Sequence, residues 1–187
     1  VFDCANRCGR IGQRYIAEDT YAGRIGQQTL YYQDNTAFLI IDGDAMEEAM
    51  AATSATPFLQ RPATWVCETV AELEAEIGLP AGVLQNTVAY YNEHAANGED
   101  PLLHKKPQWL RPIGSPVGAI DLRNSTGGFT LGGLLTTLDG RVLHVGGEPI
   151  PGLFAAGRTA AGLAAWGYAS GVSLGDGSFY GRRAGRS

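Results

Sequence analysis

Apolar residues along this chain gather into runs and stripes that mark a small set of elements. Thr36-Ala-Phe-Leu-Ile-Ile-Asp42 is apolar almost without a break and predicts a strand, ended by Asp42-Gly43. Asp44 is then a plausible N-cap for a helix through about Ala52. Val70, Leu73 and Ile77 stripe one face of a helix from about Glu68, closed by Gly78 and Pro80. Val83, Leu84, Val88 and Tyr91 continue as a second helix that ends near Asn97-Gly98, so the two form an αα-hairpin. Leu134-Leu-Thr-Thr-Leu138 and Arg141-Val-Leu-His-Val145 flank Asp139-Gly140, the strongest hairpin signal here, and Gly146-Gly147 turns the chain again. Residues 152–156 (Gly-Leu-Phe-Ala-Ala) are apolar without alternation, as in a strand covered on both faces. A last helix begins near Val172 or Ser173. Between these signals the pattern fades. Residues 1–35 are polar and glycine-studded, with Arg7, Arg10, Arg14 and Arg24 spread through them. Pro57 and Pro62 bracket a loop, and residues 99–116 are proline-rich and irregular around Trp109.

The tail is the richest stretch. Gly177, Gly181 and Gly185 recur at helical spacing on one face, although each glycine inside a helix costs about 1 kcal/mol relative to alanine. Backbone lying close against a flat ring, read here as a flavin, offsets that cost. The start of such a helix carries unpaired N–H groups and partial positive charge, which suit an isoalloxazine C2 carbonyl. A glycine-rich helix merely packed on a sheet is the plain alternative. The preceding loop argues against it, because Trp166, Tyr168, Ser170 and Ser173 put too many polar and aromatic tips in one turn.

Bulk properties narrow the classes. With 187 residues, 44% hydrophobic and 18% charged, the chain can bury one core or two small ones. A net charge of −5 gives no support for nucleic-acid or anionic-membrane binding. Cys4, Cys8 and Cys67 cannot all pair within one chain and lack metal-ligand spacing, so a reduced, cytoplasmic setting is the simplest expectation. No apolar run has the length of a membrane span, and no signal peptide is visible. His94, His104 and His144 share no spacing that suggests a metal or a triad.

Gly-Leu-Phe-Ala-Ala-Gly-Arg158, Trp166-Gly-Tyr-Ala-Ser-Gly-Val-Ser-Leu-Gly-Asp-Gly177 and Phe179-Tyr-Gly-Arg-Arg-Ala-Gly185 together resemble the C-terminal end of FAD-dependent 3-ketosteroid dehydrogenases. Among these the resemblance is to the 3-oxo-5α-steroid 4-dehydrogenase branch of the fumarate reductase/succinate dehydrogenase flavoprotein superfamily. Gly12-Gln-Arg-Tyr-Ile-Ala-Glu-Asp-Thr-Tyr21 and Phe129-Thr-Leu-Gly-Gly133 are similar to other blocks of that family, in the same order. The resemblance implies an α+β chain: residues 1–120 as the later part of a substrate-binding cap, and 121–187 as the returning C-terminal segment of an FAD-binding Rossmann-type domain. No Gly-x-Gly-x-x-Gly follows an N-terminal strand, so the expectation is the C-terminal part of a longer flavoenzyme, one that alone would not hold FAD tightly.

Making a double bond beside a ketone needs a donor to polarise the carbonyl, a base for the α-proton and a hydride acceptor. Tyr168 is the expected polariser. By resemblance Ser170 lies close to the α-proton and relays it to Tyr21, with the two tyrosines' roles interchangeable; N-capping is a nearly equal reading for Ser170 from the residues alone. Gly157, Arg158, Gly171, Ser173 and Leu174 are the expected cofactor contacts, with the Ser173 and Leu174 amides facing flavin O2. Arg158 stands where many flavoproteins place an acid, and an ion pair nearby is an alternative to a ribityl contact. Asp176 reads as a first-turn helix carboxylate, and Asp42, Glu18 and Asp19 as residues that cap, pair with arginines or order the cap loops. Tyr-Ala-Ser-Gly in the loop favours a Δ4 over a Δ1 product, because Δ1 enzymes tend to carry Tyr-Pro-Gly. A fumarate-reductase-like enzyme for small unsaturated acids is the second reading, although the histidine its relatives carry is replaced by Gly128. A catalytically incompetent fragment is the third.

Overall fold

A computed structural model describes residues 6–51, 62–123, 132–163 and 167–187. The chain mixes helices and strands and divides into two compact units, Val1–Thr126 and Gly127–Ser187.

The first unit is built on a four-stranded antiparallel sheet in the order β1 (Asn6–Gly9), β2 (Ala37–Asp42), β4 (Val117–Asp121) and β3 (Trp65–Cys67). All six residues of β2 are buried, as its unbroken apolar run requires of a central strand. Phe38 and Ile40 face the hairpin of α3 (Val70–Glu76) and α4 (Val83–Ala95), packing with Leu73, Leu84, Val88 and Tyr91. Leu39 and Ile41 face the other way, onto Ala45 of α2 (Gly43–Ala51). The sheet is thus covered on both faces.

Both hairpin helices start where the sequence places them. Thr69 and Glu72 form a reciprocal capping box at the start of α3. At α4 the cap comes from the neighbouring helix: the buried Glu74 carboxylate accepts the backbone N–H groups of Gly82, Leu84 and Gln85 and the Gln85 side-chain amide. Burial pushes the Glu74 carboxyl up, but these donors together pull it below the usual carboxylate range.

Two expectations change. The cap of α2 is Asp42, whose Oδ1 accepts the Ala45 N–H at 2.9 Å, and Asp44 sits inside the first turn. The helix therefore follows the strand with no intervening residue. The polar stretch at the start also conceals two elements, β1 and α1 (Ala22–Tyr32). Only Ile25 and Thr29 of α1 are buried, too few to print a stripe. Strand β4 was likewise hidden, because Gly118 interrupts it. A Cβ there would lie 2.7 Å from Met46 Cε and 2.9 Å from the Trp65 carbonyl, so only glycine lets β3 and α2 close on it.

In the second unit the Asp139-Gly140 turn forms, with Gly140 N–H on the Thr137 carbonyl and Thr137 N–H on the Arg141 carbonyl. Residues 134–138 contribute isolated bridges rather than a full strand. Strand β5 (Arg141–Leu143) pairs instead with β6 (Pro149–Phe154) across the Gly146-Gly147 turn. A helix α5 (Val172–Ala184) closes the unit. Strand β6 is mostly exposed, contrary to the expectation of cover on both faces. Its apolar run calls for burial, but within this unit it has one strand partner.

Candidate functional site

The expected cofactor contacts converge where β6 gives way to α5. After Ala155 the chain enters a single 3-10 turn, Gly157–Thr159. Gly157 has φ +65°, and a Cβ on it would stand 3.2 Å from the Ser173 carbonyl and 3.5 Å from Gly177 Cα. Its N–H donates to the buried Asp176 carboxylate of α5. Asp176 thus lies one turn further in than expected, and it pins the strand-to-helix turn. Leu134 N–H to the Thr159 carbonyl and Ala161 N–H to the Leu134 carbonyl, both 2.8 Å, hold the other side of that turn. The glycine stripe reduces to one real contact, Gly177 on Gly157. A Cβ at Gly181 meets nothing within 4 Å, and one at Gly185 meets only carbonyls of its own helix.

Gly171 is the N-cap of α5 in the left-handed region, φ +94°, and it supplies no side-chain cap. No acidic residue stands in the first turn, and added Cβ atoms at Gly171 and Gly175 would meet nothing within 4 Å. The helix start therefore has neither a capping side chain nor an acid in its first turn, as a planar electronegative edge would favour. Its amides are engaged within the chain, however. Leu174 and Gly175 N–H groups both reach the Gly171 carbonyl at 3.0 Å, and Val172 N–H reaches Ala169. Ser173 hydrogen-bonds to Tyr168.

That last pair sets the state of the phenol. Hydrogen bonds from the Ser173 side chain lower the Tyr168 phenol below its ordinary range; burial opposes this, and Arg158 and the Ser173 amide add to the lowering. Tyr168, Ser173 and Arg158 are brought together, with the Arg158 side chain hydrogen-bonded to the phenol. Ser170 is exposed beside them, and Leu174 is 78% exposed. A phenol whose oxygen accepts such bonds donates its own proton more strongly, which is what polarising a ketone demands. Trp166 and the Phe129-Thr-Leu part of the Phe129–Gly133 block lie outside the described residues, as does Cys4.

Tyr21 stands in the first unit at the N-cap of α1, and its side chain is substantially exposed. Its carbonyl accepts the N–H groups of Arg24 and Ile25. The segment before it bears out the expected pairing of Glu18 with an arginine and adds partners that sequence reasoning missed. Arg14 donates two hydrogen bonds to Glu18, at 3.0 and 2.7 Å, and two to Asp100, at 3.0 and 2.9 Å. Lys105 Nζ adds a 3.2 Å ion pair to Glu18. All four side chains are at most 2% exposed. The Arg14–Glu18 spacing hints at half of this quartet, but nothing in the sequence announces Asp100 and Lys105. Burial, with Glu18 adding, pushes the neighbouring Cys8 thiol up to about 12, so it is unreactive. His94 packs at a tilt against Tyr90, and His144 Nδ1 accepts the Gly146 N–H. Among the described residues no group of His, Cys, Asp and Glu is placed to hold a metal, and no helix is long and apolar enough to cross a membrane.

Comparison with known proteins bears on this arrangement. A family model described as FAD binding domain matches residues 9–174. The 3-ketosteroid-Δ4-(5α)-dehydrogenase of Rhodococcus jostii, in complex with 4-androstene-3,17-dione, is 64% identical with a TM-score of 0.84, covering 98% of this chain and 38% of its own. The 3-ketosteroid Δ1-dehydrogenase of Sterolibacterium denitrificans, in complex with 1,4-androstadiene-3,17-dione, is 25% identical with a TM-score of 0.75, covering 97% of this chain and 38% of its own. Vinyl phenol reductase of Lactiplantibacillus plantarum is 32% identical over 149 residues, 77% of this chain and 30% of the reductase. The chain spans about a third of the length of each of these proteins.

Proposed function

The chain belongs to the FAD binding domain family, and from that premise we propose that it is part of a flavin-dependent oxidoreductase that dehydrogenates the A ring of a 3-ketosteroid, with Δ4 favoured over Δ1. The observation that carries the chemistry is the Tyr168 phenol, made more acidic by Ser173 and Arg158 at the start of α5. The substrate class rests on 64% identity to a steroid dehydrogenase across 98% of the chain.

When bound, FAD supplies the hydride acceptor for the β-carbon. The rest falls to residues of this chain. Tyr168 donates a hydrogen bond to the ketone oxygen and stabilises the enolate as the α-proton leaves. Ser170, exposed two residues on, receives that proton and passes it to Tyr21; the two tyrosines can exchange roles. Gly157, Arg158, Gly171, Ser173 and Leu174 hold the flavin edge. For Ser173 and Leu174 this means giving up the bonds to Tyr168 and Gly171 that occupy their amides in the free chain. The Ser173 side chain keeps its hydrogen bond to the phenol oxygen, which leaves the Tyr168 proton free for the ketone. In this reading residues 1–120 are the later part of the substrate-binding cap, and residues 121–187 are the returning segment of the flavin domain.

Two measurements test the reading. The purified protein is examined for flavin absorbance in the visible, and dichlorophenolindophenol reduction is followed with 5α-androstane-3,17-dione. Dye reduction with the steroid is expected. A flavin-loaded protein that reduces dye only with succinate-type substrates would overturn the steroid assignment.

A further inference from the structure

Four charged side chains out of contact with water are an expensive way to build a core. Arg14, Glu18, Asp100 and Lys105 balance to zero charge, yet removing them from water costs more than burying apolar groups of the same volume. What the ions add is direction. The planar guanidinium of Arg14 grips two carboxylates at fixed angles, one four residues away and one 86 residues away. Glu18 also accepts the Arg7 N–H, and Asp100 the Leu103 and Lys105 N–H groups. Arg14 and Lys105 both stand over the Tyr91 ring, at 4.8 and 5.5 Å. Next along, Asp19 accepts the Lys106 N–H at 3.2 Å. The loop that leads into α1 is therefore welded to the loop after α4 at two successive residues.

Tyr21 follows two residues later. The residue is 43% exposed and its ring rests on the backbone at Gly23, where an added Cβ would come 2.6 Å from Tyr21 Cε1, so its position follows the anchoring of this stretch of backbone. On the far side α1 is tied back to the same segment, because the Tyr15 hydroxyl and Thr29 Oγ1 are 2.6 Å apart and Thr29 bonds in turn to the Ile25 carbonyl. We propose that the Arg14–Glu18–Asp100–Lys105 quartet, with Asp19, is a positioning clamp that fixes Tyr21 for the reaction. The proposal rests on the reading of Tyr21 as a participant in proton transfer, and its test separates the two.

The charge-balanced double variant Glu18→Gln/Lys105→Met removes both ion pairs of Glu18, to Arg14 and to Lys105, and leaves Arg14–Asp100 intact. Amide hydrogen exchange is read at Arg24 and Ile25, whose acceptor is the Tyr21 carbonyl, and is expected to quicken by about 10-fold or more. In the flavin-loaded protein kcat is expected to fall by roughly 10- to 100-fold with KM little changed. Unchanged exchange at those amides in a folded variant overturns the clamp. So does quickened exchange with undiminished kcat, provided that Tyr21→Phe itself slows turnover. If Tyr21→Phe is silent, the catalytic reading of Tyr21 fails and the exchange result alone decides the clamp. Should the double variant not fold, Asp19→Ala leaves the buried charges in place and is judged by the same exchange and kcat criteria.

Discussion

The two units treat their apolar side chains in opposite ways. In the first, Leu73 and Leu84 are 0% exposed between sheet and helices. In the second, Val145 is 99% exposed, Leu138 79% and Leu174 78%, with Val142 and Ala155 the apolar residues buried among those described. A sheet with helices on both faces can enclose many side chains, whereas two strands and one helix enclose few. The first unit thus carries its own hydrophobic stabilisation. The geometry of the second depends on backbone hydrogen bonds, on Gly157 against Gly177 and on the Asp176 pin. The proposed reactive groups Tyr168 and Ser170 sit on that lightly supported frame.

The contrast can be broken by cutting equivalent side chains. Leu84→Ala should cost about 2–5 kcal/mol in urea unfolding of the first unit, while Leu138→Ala should stay within about 0.5 kcal/mol. Equal losses would erase the distinction. Activity should sort the other way: Tyr168→Phe is expected to lower turnover by about 100-fold or more without altering stability. Unchanged turnover would remove Tyr168 from the site.

Acid sharpens the comparison further. The Glu74 carboxyl is held below its ordinary value, so the stability it contributes is present above the unfolded carboxylate range and is lost as pH falls through the lowered folded value. Asp100 is lowered in the same sense: burial raises it, but the Arg14 hydrogen bonds outweigh that. Glu74→Gln should cost about 1–3 kcal/mol at neutral pH and flatten the acid dependence of the first unit. A variant as acid-sensitive as the parent would contradict this.

The smallest effect belongs to Ser173→Ala. Removing a donor to the Tyr168 oxygen raises the phenol's pKa. The alkaline limb of the pH–rate profile, where the donor proton is lost, should therefore move to higher pH. A limb that stays in place would show that Ser173 does not tune the phenol.

Legibility followed the source of each signal. Strand β2 and the α3–α4 hairpin could be read because their burial is printed in consecutive or periodic apolar residues, and the start of α5 because Gly171 interrupts the chain just before it. Helix α1 could not, having two buried residues, and β4 could not, since the glycine that permits its packing also breaks its pattern. Asp42 and Asp44 are equally good caps on paper; the strand's end point chose between them.

The sequence by itself determined the family, the central strand, the helical hairpin and the cluster of hydroxyls before α5, because each is encoded in neighbours a few positions apart. Tertiary structure alone decided that Asp176 pins Gly157, that Ser173 and Arg158 act on Tyr168, and that Arg14 reaches Asp100 and Lys105. Those depend on where distant segments meet, and a charge or a hydroxyl carries no mark of its partner until the fold brings the two within a bond's length.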